Sequence, residues 1–204
     1  MQIIKIYPKG FGCNTYFLTN DNQTAIVIDP SSPRIVEELQ KRGLVAVCVL
    51  LTHIHFDHTA GVESLQNNGA KVFCMAEAKS LVGTKADCSY FFNASPAEYT
   101  VDEVFHDGEE KTLCGMKIKA WHTPGHIEGS ACYFLEEERA LFTGDTLFFG
   151  TVGRVDLPTG NGEKLRESIR RLSTLSGWKV YAGHGDDTDI DYEKIHNPFM
   201  IDKE

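Results

Sequence analysis

The sequence predicts an α/β fold of the four-layer αββα kind, and three observations point there. Short β-branched and aromatic runs recur in both halves of the chain, each half also carries helix-forming segments, and residues 44–51 are apolar without a break. A strand that is apolar on both faces has to be covered on both faces, so layers lie on either side of it. The 204 residues suffice for one such domain, over 1–204, with a sizeable core.

The elements follow in order. Residues 3–7, 14–18 and 24–28 read as strands, with Asn20-Asp21-Asn22 separating the last two as a hairpin turn. A helix comes next, with Ser32 as its N-cap, Pro33 in its first turn, Ile35, Val36 and Leu39 on its apolar side and Gly43 as its stop. The buried strand at 44–51 leads to a helix over about 59–68 and a short strand around Val72. Residues 80–106 carry no clear period; Ser89-Tyr90-Phe91-Phe92-Asn93 reads as a loop packed over a neighbour. In the second half, strands are expected near 116–121, 131–135 and 140–142. A helix with Leu165, Ile169 and Leu172 on one face and a strand at 178–181 complete the pattern.

Composition narrows the function. Lys+Arg number 20 against 29 Asp+Glu, a formal charge of −9, which argues against a nucleic-acid or anionic-membrane partner. Apolar content of 42% with 7 prolines and 18 glycines excludes wholesale disorder and fibrous repeats. The longest apolar run is too short to cross a membrane, and the first ten residues carry no export signal, so a cytoplasmic location is expected. Cys13, Cys48, Cys74, Cys88, Cys114 and Cys132 are scattered without Cys-x-x-Cys spacing and read as reduced, buried thiols.

The chemistry concentrates after the buried strand, in Thr52-His53-Ile54-His55-Phe56-Asp57-His58. Chance assembly of this pattern from the chain's composition is roughly one in a thousand. In extended backbone, His53 and His55 point the same way and can converge; Asp57 and His58 can then project to a second point beyond a turn. Imidazole and carboxylate together suit Zn2+, Fe2+ or Mn2+ and leave coordination positions for water. Three further segments each end an expected strand: Thr123-Pro124-Gly125-His126, Thr143-Gly144-Asp145 and Gly183-His184-Gly185. Each is weak alone, and their recurrence after three strands is the stronger signal.

These motifs, in this order, resemble the signature set of the metallo-β-lactamase-fold hydrolases, and within them the short glyoxalase II (hydroxyacylglutathione hydrolase)-like proteins. Asp29 in Ile28-Asp29-Pro30 and the Gly153-Arg154-x-Asp156 segment extend the match. The resemblance implies an αββα sandwich around two divalent ions, Zn2+ first and Fe2+ or Mn2+ as alternatives. His53, His55 and His126 would bind one ion, Asp57, His58 and His184 the second, and Asp145 would bridge them. Asp29 would orient the histidine loop by hydrogen bonding. The implied activity is hydrolysis of a small-molecule thioester by hydroxide generated between the ions, with Asp57 also handling the proton. The carboxy-terminal helical domain that binds glutathione in full-length glyoxalase II is not expected here. Arg154 stands where that enzyme has a glutathione-contacting lysine, and Asp156 where it has a tyrosine. Arg154 is thus the candidate for a substrate carboxylate, since a local cation has to attract an anion to a chain of charge −9.

A mononuclear iron persulfide dioxygenase, a lactonase or phosphodiesterase of the same fold, and a non-enzymatic metal-binding module are the alternatives. The sequence leaves the oligomeric state open. His122 reads as structural, His106 and His196 as surface or capping groups, and Arg166, Arg170 and Arg171 as a solvated helix face. Tyr90, Phe91, Phe148 and Phe149 fit core packing and the lining of a substrate cleft equally well.

Overall fold

The computed structural model describes residues 1–8, 10 and 12–201. The extent of 1–204 read from the sequence also takes in positions 9, 11 and 202–204, which lie outside the described residues.

Strands β1 (Gln2–Ile6), β2 (Thr15–Thr19), β3 (Thr24–Ile28), β4 (Val45–Leu50), β5 (Lys71–Met75) and β6 (Glu103–Phe105) form one sheet in that order. The first three are an antiparallel meander, and β3 to β6 run parallel. Asp21 closes the β2–β3 turn by accepting from the backbone N–H groups of Gln23 and Thr24, both at 2.8 Å. Helices α1 (Ile35–Gln40), α2 (Phe56–Thr59) and α3 (Val62–Asn67) fill the β3–β4 and β4–β5 connections, and α4 (Ala76–Lys79) follows β5.

The second sheet contains β7 (Glu110–Leu113), β8 (Met116–His122), β9 (Ala131–Leu135) and β10 (Ala140–Gly144) as an antiparallel run. A separate ribbon, β11 (Leu147–Phe148) with β12 (Thr151–Val152), precedes α5 (Gly162–Ser173). Then β13 (Lys179–Ala182) pairs parallel to β10, β14 (Thr188–Asp189) closes the edge, and α6 (Ile190–His196) follows. Alternation along β9 shows the layering: Tyr133 and Leu135 enter the core shared with the first sheet, while Cys132 and Phe134 join Leu165, Ile169 and Leu172 of α5. On the far side of the first sheet, Ile35, Leu39, Val62 and Leu65 pack from α1 and α3. The order is helix, sheet, sheet, helix, as the sequence predicts.

Several details differ. Val45 is 59% exposed, so the run 44–51 is not buried throughout, although Leu44 before it and Ala46 after it are buried. Ser32 accepts from the Arg34 and Ile35 N–H groups in a turn ahead of α1, and the helix starts at Ile35. The helix expected over 59–68 is two pieces: Gly61 N–H leaves the helical ladder for Pro30 C=O at 2.7 Å, and the separate turn α2 aims Asp57 and His58. The sequence reading missed β7, a half-exposed edge strand without apolar alternation, and α6, whose cap Asp189 accepts from Tyr192 N–H. Arg171 is not merely solvated: it lies 4.2 Å over the Trp121 ring and pairs with Asp107 at 2.7 Å. No helix among the described residues is long and apolar enough to cross a membrane. All six thiols are free, and only Cys114 is not buried.

Candidate metal centre

Four chain segments meet at one end of the two sheets. His53 and His55 leave the carboxyl end of β4, α2 carries Asp57 and His58, His126 lies between β8 and β9, Asp145 follows β10, and His184 follows β13. Parallel pairing sets Gly144 opposite Ala182, so Asp145 and His184 emerge side by side. A side chain at Gly144 would collide with Thr52, and one at Gly183 with the Asp145 carboxylate. These two glycines let the loops of both sheets close on one point.

The structure brings all seven candidate donors together. His55 Nδ1 lies 3.0 Å from His53 Nε2 and 2.9 Å from His126 Nε2. Beside this group, His184 Nε2 lies 3.3 Å from His58 Nε2 and 3.2 Å from Asp57 Oδ2. Asp145 sits between the groups, with Oδ1 3.3 Å from His58 Nε2 and Oδ2 3.5 Å from His126 Nε2. His53, His55 and His126 form one set able to hold a metal; Asp57, His58 and His184 form another.

Hydrogen bonds at the opposite ring nitrogens settle which lone pairs face inward. His126 Nδ1 donates to the Arg154 carbonyl at 2.7 Å, which leaves Nε2 bare. Thr52 Oγ1 gives its proton to Asp29 Oδ2 at 2.6 Å and accepts from His53 Nδ1 at 3.1 Å, which leaves His53 Nε2 bare as well. Asp29 Oδ1 accepts from Thr52 N–H at 2.8 Å, and Oδ2 from His58 Nδ1 at 2.9 Å. Among the described residues, two buried side-chain atoms have no hydrogen-bond partner, His55 Nε2 and Asp145 Oδ1. Orphaned buried polar atoms beside converging imidazole lone pairs are the donor chemistry of a divalent cation site, and a mixed N/O set of this kind fits one.

The electrostatics follow the burial and the charges of the cluster. Burial, with help from the neighbouring imidazoles, holds His53 well below the usual histidine range and pushes His55 down to about 3, so both stay neutral. Burial opposes ionisation of Asp57 and Asp145, yet His58 and its neighbours outweigh it and keep both carboxyls below their ordinary values. Burial also opposes charge on His58, but Cys13 and the carboxyls of Asp145, Asp57 and Asp29 raise it well above the usual range.

Over the donors opens a cavity of about 270 Å³, walled by Phe56, Phe92, Cys88, Leu157 and Arg154. Arg154 grips Asp156 in a fork of 2.6 and 2.7 Å contacts, with both side chains exposed. Of the aromatics left open by the sequence, Phe148 approaches the His184 ring at 6.0 Å, while Tyr90 and Phe91 project outward and Phe149 stacks on Tyr192. His122 Nε2 is engaged by the Glu128 carbonyl at 2.6 Å, outside the cluster. His106 and His196 are exposed. The sequence reading overlooked Thr52, for which a hydroxyl next to the first histidine was the available signal. The Arg154 carbonyl had no signal, because a backbone oxygen carries no residue identity.

The metallo-beta-lactamase superfamily profile matches residues 8–184. Hydroxyacylglutathione hydrolase GloC of Haemophilus influenzae is 31% identical over an alignment of 218 positions that takes in 98% of this chain and 99% of that protein. The crystal structure of the BLEG-1 B3 metallo-beta-lactamase superposes with a TM-score of 0.91 at 29% identity, over 98% of this chain and 100% of that one. TTHA1623, solved in a di-iron-bound form, gives 0.84 at 28% identity, over 96% and 99%. The profile spans every donor from His53 to His184 and the relatives align almost end to end, so the chain belongs to the metallo-beta-lactamase superfamily, as one of its metallo-hydrolases.

Proposed function

We propose that the chain is a dinuclear hydrolase of thioesters, with hydroxyacyl thioesters of glutathione as the substrate class. Asp145 carries the two-ion reading, because its carboxylate lies between the donor sets, with Oδ1 toward His58 and Oδ2 toward both His126 and His184. His53, His55 and His126 would hold one ion and Asp57, His58 and His184 the other, with Asp145 shared. A single-ion centre would leave Asp57, His58 and His184 converging to no purpose. The thioester reading is supported by the end-to-end similarity to a hydroxyacylglutathione hydrolase.

Divalent ions bound there, Zn2+ first and Fe2+ or Mn2+ as alternatives, supply Lewis acidity and water that ionises near neutral pH. The chain's own residues do the rest. Asp57 stays ionised and turns Oδ2 to His184, which leaves Oδ1 to orient water and take its proton. Phe56, Phe92 and Leu157 exclude bulk solvent from one side of the cavity. Arg154 receives the substrate carboxylate, exchanging Asp156 for it; both are exposed, so the exchange costs little. A thiol of pKa about 8.5 leaves as thiolate without a strong general acid.

Metal analysis beside a panel of thioester, lactone, phosphodiester, β-lactam and persulfide substrates tests this reading. Two ions per chain with preferential thioester cleavage are expected. One ion per chain with consumption of persulfide, or two ions with preference for another ester class, overturns it.

A further inference from the structure

His184 differs from His53, His58 and His126. Thr52, Asp29 and the Arg154 carbonyl hold the outer ring nitrogens of His53, His58 and His126, and these rings are buried. The His184 side chain is 38% exposed, its ring nitrogen meets Asp57, His58 and Asp145, Phe148 lies edge-on to the ring, and it stands between two glycines. Glycines on both sides leave the peptide groups around His184 without side chains of their own to brace them, so bonds from neighbouring segments have to set the backbone that carries the ring.

What holds it comes from the other end of the chain. Asn14, buried immediately before β2, donates through Nδ2 to the carbonyls of Ala182 and Gly185, both at 3.0 Å, and through its backbone N–H to Gly183 C=O at 2.7 Å. Tyr16 OH adds a 2.6 Å bond to Ala182 C=O, and Lys5 Nζ a 3.0 Å bond to Gly185 C=O. The carbonyls on both sides of His184 are thus fixed by the amino-terminal meander. The Asn14 amide suits the task, since one nitrogen with two hydrogens spans two acceptors.

We infer that Asn14 is the positioning residue for His184, acting through the peptide groups that flank it and so setting the affinity of the second ion. The inference rests on the two-ion reading. Stepwise titration of the metal-free full-length chain with Zn2+, followed by calorimetry, tests it on four proteins. In Asn14→Ala the first ion should bind as in wild type, and the dissociation constant of the second should rise about 10- to 100-fold. Tyr16→Phe, which keeps the ring in the core, should weaken the second ion in the same direction by less, and it decides the matter if Asn14→Ala does not fold. Leu135→Ala, a core truncation at the end of β9 remote from the donors, should lower Tm and leave both affinities unchanged. Unchanged second-ion affinity in Asn14→Ala, equal weakening of both ions, or the same selective loss in Leu135→Ala overturns the positioning role alone. A wild-type chain that binds one ion overturns the two-ion reading and the role of Asn14 with it.

Discussion

Thr52 gives both of its donors to Asp29, the backbone N–H to Oδ1 at 2.8 Å and the hydroxyl to Oδ2 at 2.6 Å. Asp29 Oδ2 also takes His58 Nδ1, so one carboxylate meets three donors and connects the ends of β3 and β4 to a candidate ligand. In Asp29→Asn one oxygen would have to serve all three, and the amide N–H groups would face donors. The variant should bind metal about 10- to 100-fold more weakly. It should also lose about 1–3 kcal/mol of stability. Metal titration and thermal melting check both, and wild-type affinity in this variant would show that Asp29 has no part in aiming His58.

Asp145 is the donor that both ions share in the proposed centre. Asp145→Ala should therefore lower metal content and abolish turnover together, as read by elemental analysis and thioester hydrolysis on the same preparation. Retention of two tightly bound ions would remove the bridge from the mechanism.

Arg154 and Asp156 allow recognition to be separated from chemistry. If Arg154 takes a substrate carboxylate, Arg154→Ala should raise KM with kcat much less affected, since the contact is alike in ground and transition states. A charge-assisted contact of about 1.5–3 kcal/mol corresponds to a loss of roughly ten- to a hundredfold in kcat/KM for an anionic thioester. A neutral thioester should lose far less. Asp156→Asn, which frees the guanidinium, should lower KM for the anion. Equal losses of Arg154→Ala on both substrates would return the arginine to a role in holding its loop.

Thiol reactivity should sort by environment. Burial pushes Cys13, Cys74 and Cys132 up to about 12 and Cys88 to about 11, so these remain thiols at pH 8. The interaction between Cys48 and Cys114 lowers Cys114 and raises Cys48, and Cys114 is also the one thiol of the six that is not buried. Titration of the native chain with a chromogenic disulfide at pH 8 should show one fast thiol, absent in Cys114→Ser, with the other five reacting on unfolding. Two or more fast thiols in the native chain would contradict this ordering.

The αββα order was legible because both faces of 44–51 are apolar and because Leu165, Ile169 and Leu172 repeat at helical spacing. The donor cluster 53–58 was legible because its chemistry is contiguous. His126, Asp145 and His184 were legible as glycine-marked strand ends. What escaped was long-range or carried by backbone atoms. The partner of Asn14 is a set of carbonyls some 170 residues away, and neither composition nor periodicity encodes that pairing. Edge strand β7 and helix α6 escaped because their apolar patterns are weak: a strand half open to solvent, or a short helix burying only Ile190 and Glu193, needs little periodicity to be stable.

The separation of Asn14 from His184 also has a consequence during synthesis. The donors at 53–58 are translated long before His126, and His184 comes later still. At roughly 5–20 residues per second, the first imidazoles wait on the order of ten seconds before the last donor exists. Throughout that interval the meander that anchors the final loop has nothing to hold, and the nascent chain offers three histidines and an aspartate within six residues to whatever ion the surrounding solution contains. If these side chains hold metal as proposed, the choice between competing ions would be open before the finished cavity can exercise any selectivity.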